Sequence, residues 1–125
     1  MYQQITLVGN LGNDPEMRFT PNGTAVTNIS VATSNKYTKK DGEKVDETTW
    51  FRVSIWGKSA EAANTYLKKG SKVLVTGRMT VDKATGGPRV YESKGEHRAS
   101  FEVTANEVKF LSSRGKETAP SDNPF

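Results

Sequence analysis

The segment Thr49-Trp50-Phe51-Arg52-Val53-Ser54-Ile55-Trp56 concentrates the chemistry of this sequence. In an extended chain, successive side chains point to opposite faces. Phe51, Val53 and Ile55 then share one face, an ordinary core pattern. Trp50, Arg52, Ser54 and Trp56 share the other, where small polar or charged groups would be normal for a solvent face. Two uses fit such a row. The indoles can pack beneath a helix, a loop or another subunit, since tryptophan is usually largely buried. Alternatively, flat bases can stack on the indoles while the arginine meets phosphates, the arrangement that single-stranded nucleic acids require. Tyr37 lies in a polar stretch with Lys36, Lys39 and Lys40, and Tyr91 lies in another with Arg89 and Lys94. Together with the tryptophan face, these stretches interleave aromatic and basic groups.

Other chemistries have little support. The chain has no cysteine, which excludes disulfides, thiolate nucleophiles and cysteine-ligated zinc. His97 is the single histidine, so a Ser-His-Asp set or a multi-histidine metal site would rest on that one residue. It stands between Glu96 and Arg98 in a charged loop and is expected to face solvent. Asp14 and Glu16 have no histidine or second acidic cluster beside them, and Asp14 reads as a turn former. Gly9-Asn10-Leu11-Gly12 lacks the following Lys-Ser/Thr and the helix of a phosphate loop. No cofactor is implied. A net charge of +4 permits a polyanionic partner without requiring one.

The elements that would position the tryptophans follow from periodicity and turn signals. Residues 5 to 8 read as a strand running into the Gly/Asn/Pro cluster of residues 9 to 15, and residues 16 to 19 resume it after a kink. Pro21-Asn22-Gly23 is a turn. Residues 24 to 33 alternate as a second strand, residues 34 to 47 form a long exposed hairpin loop, and residues 48 to 56 form the third strand. Gly57 breaks it. Ser59 to Lys69 reads as one helix, with Ser59 able to cap its start and Lys68-Lys69-Gly70 fitting its end. Residues 72 to 81 are a fourth strand, 82 to 98 a second long loop or hairpin, and 99 to 105, extended by 108 to 111, the last. Five short strands with one helix between the third and fourth match an OB-fold, an all-β five-stranded Greek-key barrel; an unrelated small β-barrel or α+β sheet is the rival pattern.

The chain of 125 residues suits one such domain, residues 1–111, and cannot hold two. After Leu111 no aliphatic residue larger than alanine occurs, so residues 112–125 read as a flexible tail ending in Pro124-Phe125. The longest apolar runs are two or three residues against the roughly twenty of a membrane helix, which excludes spanning by that route. Met1-Tyr2-Gln3-Gln4 has no basic start or apolar signal core, so a cytoplasmic address is expected.

Several motifs in order resemble the bacterial single-stranded DNA-binding proteins. They are Leu7-Val8-Gly9-Asn10-Leu11-Gly12-Asn13-Asp14-Pro15-Glu16-Met17-Arg18, Pro21-Asn22-Gly23, Trp50-Phe51-Arg52-Val53 through Trp56-Gly57-Lys58, and Tyr66-Leu67-Lys68-Lys69-Gly70. The resemblance runs from about residue 4 to residue 111. It implies an OB-fold that binds and protects single-stranded DNA without sequence preference in replication, recombination and repair. It also implies a homotetramer, no enzymatic activity and a nucleoid-associated, cytoplasmic location. Carried over by position, Trp50 and Trp56 match the stacking aromatics of the third strand, Tyr37 that of the first long loop and Tyr91 that of the second. Arg52 matches the basic residue between the stacking rings, and Phe51 a position near the subunit contact. Phosphates are expected to pass Arg52, Lys58, Lys72, Arg78, Arg89 and Lys94. The family's tails end in a run of acids, an apolar residue and Pro-Phe, and recruit replication and repair proteins. Here Asp122, Pro124 and Phe125 stand in those places, Asn123 replaces the apolar residue, and the linker is short. Residues 82 to 88 depart from the usual pattern as an insertion. A structural OB-type subunit with its tryptophans in an oligomer contact is the competing reading.

Overall fold

A computed structural model describes residues 1–111; the tail expectations, those on Asp122, Pro124 and Phe125 included, lie outside the described residues. The elements are β1 (Ile5–Leu11), β2 (Glu16–Phe19), β3 (Ala25–Thr38), β4 (Lys44–Trp56), α1 (Lys58–Tyr66), β5 (Lys72–Met79), β6 (Arg89–Ser93) and β7 (Glu96–Phe110). The strand order is β1-β5-β7-β4-β3-β2, closed by a second pairing of β1 with β3, while β6 pairs β7 outside the ring. This is the five-stranded OB barrel expected, with β1 and β2 as two halves of its first strand.

The kink between those halves lets one strand serve two neighbours. Before it, Ile5 to Asn10 pair with β5; beyond it, Glu16 to Phe19 pair with β3. The kink is fastened to the chain that follows the helix. Asp14 Oδ1 accepts from the Lys69 amide (2.8 Å), Asn10 Nδ2 donates to the Gly70 carbonyl (3.1 Å) and the Gly70 amide donates to the Leu11 carbonyl (2.9 Å). The carboxylate of Asp14, read from the sequence as a local turn former, instead ties the kink to a segment 55 residues further on.

Inside the barrel, alternate residues of every long strand meet: Leu7, Leu11, Ile29, Val31, Val53, Ile55, Val73, Val75 and Val103. Full burial of such a side chain contributes about 1.5–3 kcal/mol. Helix α1 covers the barrel against β2, β3 and β4 through Ala60 and Ala63. Their lack of bulk brings the helix backbone close enough for the buried Thr27 hydroxyl to donate to the Ala60 carbonyl at 2.6 Å.

Four other details differ from the sequence reading. Ser59 does not cap the helix; Gly57, at φ 71°, is the N-cap and no side chain caps there. The helix stops at Tyr66 because Leu67 turns extended and buries its side chain in the core, so Lys68 and Lys69 lie beyond the last turn. The segments read as loops are mostly ladder: β3 and β4 continue to a turn at residues 39–43, and β6 and β7 form a hairpin closed at Lys94-Gly95. Once two strands are paired in the barrel, the ladder gains hydrogen bonds as it extends, whatever the polarity of its side chains. Both Lys94 (φ 52°) and Gly95 (φ 80°) are left-handed, as a two-residue hairpin turn of this twist requires. Finally, the last strand starts earlier, at Glu96, and runs through residues 106 and 107 that the alternation skipped, and it changes partner along its length: β6, then β4 in parallel, then β5, with a bulge opposite Thr76 and Gly77.

Candidate nucleic-acid interface

Strand β4 alternates as its sequence dictates. Val53 and Ile55 are buried and Phe51 is half-buried, while Trp50 (53% exposed), Arg52 and Trp56 (49% exposed) stand on the outer side of the barrel. Neither indole is packed beneath the helix or a loop of its own chain. Residues paired across a ladder share a face, so the register gives the cross-strand rows of this surface. Arg18, Val26 and Trp56 form one row. Glu16, Asn28, Ser54, Thr104 and Arg78 form the next, with the Ser54 hydroxyl 3.0 Å from Asn28 Oδ1. Ser30, Arg52 and Glu102 form the third, and Ala32 with Trp50 the fourth.

The β3 side of these rows is made of small residues, a floor above which the rings rise. Val26 is buried although it lies outside the core cluster, flanked as it is by Trp56 and Arg18. Between the two tryptophans a groove of about 210 Å³ is lined by Asn13, Asp14, Glu16, Asn28, Ser30 and Arg52. Trp56 lies six steps along the strand from Trp50, roughly 20 Å at about 3.3 Å per residue, so the indoles are two separate platforms.

The second hairpin extends the face. Arg89 pairs with Ser100 and Tyr91 with Arg98, on the same side of β7 as Glu102. The Arg89 guanidinium donates from Nη1 to Glu102 Oε2 at 3.2 Å, and its Cζ lies 6.0 Å from the centre of the Tyr91 ring. Exposed Lys58 follows Trp56 by two residues at the start of α1. Lys72 is reached around the barrel from the Trp50 row, through its pairing with Asn10 and that of Asn10 with Ala32. Lys94 sits at the tip of the second hairpin. Tyr37 pairs with Val45, the parity of Phe51 rather than of Trp50, and borders a groove of about 280 Å³ at the end of the first hairpin with Lys36 and Lys44. The register therefore gathers Trp50, Arg52, Trp56, Arg78, Arg89 and Tyr91 on one side and places Tyr37 on the other parity.

Sequence reading missed three participants. Arg18 joins the Trp56 row, a position that follows only from the register of β2 on β3. Glu102 brings a carboxylate into the row of Arg52. Gly12 supports Trp50: a Cβ at residue 12 would overlap the six-membered ring of that indole. In a Trp56→Phe background, where Trp50 alone emits, Gly12→Ala is expected to displace the ring and shift its fluorescence to longer wavelength. An unchanged spectrum would mean that the indole does not rest there. His97 is exposed, and no group of three or more potential metal ligands occurs among the described residues. No helix among them is long and apolar enough to cross a membrane.

A closed OB barrel with a row of half-exposed aromatic and basic side chains on its outer surface defines an oligonucleotide-binding class of protein. Within that class, the chain belongs to the single-strand binding protein family, whose profile matches residues 2–111. It is 40% identical to the single-stranded DNA-binding protein of Wolinella succinogenes over 92% of this chain and 67% of that one. With the protein of the same name from Neisseria meningitidis serogroup A the identity is 40%, over 92% of this chain and 63% of the relative. With that of Xanthomonas axonopodis it is 41%, over 90% and 59%. The chain thus spans about three fifths to two thirds of the length of these relatives. Among solved structures, a deletion mutant of the single-stranded DNA-binding protein from Thermus aquaticus superposes with a TM-score of 0.68 at 30% identity, over 90% of this chain and 52% of that one.

Proposed function

We propose that this chain binds and protects single-stranded DNA without sequence preference, as a non-enzymatic protein of replication, recombination and repair. The observation that carries the proposal is the pair of half-exposed indoles on the outer side of β4 with Arg52 between them. A ring that is free on one side offers a base the area it loses on unpairing, and every base has a π face, so stacking is indifferent to sequence. Bases stack on Trp50, Trp56 and Tyr91, with Tyr37 serving a strand that passes the first hairpin. Phosphates run past Arg52, Arg78, Arg18 and Lys58, with Arg89, Lys72 and Lys94 further along.

Tryptophan fluorescence during titration with oligo-dT and with duplex of equal length tests the proposal. Tight binding with strong quenching is expected for oligo-dT, and weak binding for the duplex, whose bases are already stacked. Equal affinity for the two would overturn it.

Residues 1–111 are proposed as the DNA-binding domain, assembled as a homotetramer. The half-buried Phe51 stacks at 5.7 Å against Phe101, which is itself exposed, and this aromatic pair is the suggested place of contact. A monomer at micromolar concentration in sedimentation would exclude that assembly. Residues 112–125 are proposed as a tail that recruits replication and repair proteins through Asp122, Pro124 and Phe125. Arg114 and Lys116 balance Glu117 and Asp122, so the tail's side chains give DNA no net attraction. A chain ending at Ser112 should keep its oligo-dT affinity and lose partners in pulldown; loss of the affinity alone would assign the tail to the DNA site. A cytoplasmic, nucleoid-associated location follows from the same reading.

A further inference from the structure

Glu102 stands where a DNA-binding surface would be expected to avoid an acid. It shares a row with Arg52, and its carboxylate takes the Nη1 hydrogen bond of Arg89 from the neighbouring hairpin strand. Ion pairs among the described residues include Lys39 with Glu43, Arg98 with Glu96, and this one. In the first two both side chains are about half exposed or more, whereas the Glu102 side chain is only 17% exposed. Its charge is therefore the least screened by water of those six. Tyr91 holds the other side of the same guanidinium, with Arg89 Cζ 6.0 Å from the ring centre.

We propose that Glu102 is an internal competitor of DNA phosphate for Arg89, and that it lowers both the affinity of this face and its dependence on salt. The inference rests on the reading of this face as the DNA surface. In the free protein Arg89 is already neutralised by a carboxylate of its own chain. A phosphate that approaches it must displace Glu102 or share the arginine with it, and in either case Glu102 stays within one strand spacing of Arg52. The Arg89–Glu102 pair carries no net charge, so a phosphate that meets it is not neutralised overall and gives up no net cation, and the release of cations from the nucleic acid is what drives association at low salt and weakens it as salt rises. Removing the negative charge from Glu102 frees Arg89 for phosphate and removes the repulsion at once.

The test is oligo-dT affinity of the full chain between low and moderate salt, for the parent, Glu102→Gln, Arg89→Gln and the double variant. Glu61→Gln, on the exposed side of α1, is the control for net charge alone. Glu102→Gln should bind about fivefold more tightly, the upper end of what one partly exposed ion pair is worth. The slope of log affinity against log salt should steepen by about 0.7, one additional phosphate contact to a single strand. Arg89→Gln should bind more weakly than the parent, because it bares Glu102, and the double variant should return to within about twofold of the parent if the two charges act as one unit. Glu61→Gln should change affinity less than Glu102→Gln does. An ion pair that merely fastens the hairpin gives the opposite sign: Glu102→Gln would then weaken binding and lower the melting temperature, and either unchanged or weakened binding overturns the proposal. Arg89 is 56% exposed, so Arg89→Gln is expected to fold even if Glu102→Gln does not, and undiminished affinity in Arg89→Gln also overturns the proposal. A parent chain that does not bind oligo-dT removes the reading of the face itself, which the two variants cannot mimic.

Discussion

A chain carrying Trp50→Ala and Trp56→Ala together is expected to bind oligo-dT more weakly than the parent by about 2–6 kcal/mol, or about 30-fold to 20,000-fold, the sum of about 1–3 kcal/mol for each lost platform. The losses should add, because roughly 20 Å of strand separates the two rings and they share no partner across the sheet. Trp50 rests against Gly12 and Trp56 is flanked by Val26 on β3, so their surroundings differ. Each is half-exposed, and truncation should lower the melting temperature little. The single variants separate the contributions, since the sequence holds only these two tryptophans and each variant leaves one emitter. Quenching by oligo-dT in both singles assigns a base to both rings. A lower melting temperature with unchanged affinity would make them packing residues and return the site to the competing reading of an oligomer contact.

Gly77→Ala is expected to cost more than about 3 kcal/mol of folding free energy, beyond the usual range for an inserted methyl group. A Cβ at residue 77 would overlap the carbonyl oxygen of Thr104, on the strand to which Gly77 is hydrogen-bonded. A side chain in its way could rotate; the backbone of β7 cannot, because at Thr104 it is also paired with Ser54 of β4. Gly77 lies beside the bulge and next to the stretch, Val103 and Thr104, where β7 is held by β4 and β5 at once. Chemical denaturation should show a lower midpoint or no cooperative transition. A midpoint shifted by less than about 1 kcal/mol would show that the bulge absorbs the methyl group. Gly23, for which a Cβ would meet nothing, makes the contrasting case: its φ of 90° is what restricts it.

The strand that bears the site was legible because a single phase fits it. Shifting the alternation of residues 50 to 56 by one would put Arg52 and both tryptophans inside and Val53 and Ile55 outside. The barrel was legible from five such runs and the place of the helix among them. What escaped was whatever depends on register between strands distant in sequence. Nothing local marks Arg18 as a neighbour of Trp56, Glu102 as a neighbour of Arg52, or Gly12 as the rest for Trp50, since each meeting is decided by how far one strand slides along another. The hairpin arms escaped for a different reason. Residues 34 to 38 and 44 to 47 are mostly polar, so they lack the period-two hydrophobic signal, and their ladder comes from the pairing already established nearer the barrel. The helix end was misplaced because Leu67 fits a helical spacing and an extended step into the core equally well, and only the core decides between them.

The position of β7 has a consequence for the order in which the molecule can be made. It is the last of the described strands, yet it lies between β5 and β4, pairing in parallel with one and antiparallel with the other. Once β5 has emerged from the ribosome but β7 has not, β1 can already pair with β5 and β3 with β4, but the ring stays open and one side each of β4 and β5 has no partner. Open strand edges of this kind can pair with another chain. Closure waits for residues 101–110 to leave the exit tunnel, so the half-finished chain carries its two tryptophans on an incomplete barrel, beside a bare edge. The nascent chain is thus exposed to misassembly over a definite window of translation, which ends when the final strand threads into the gap.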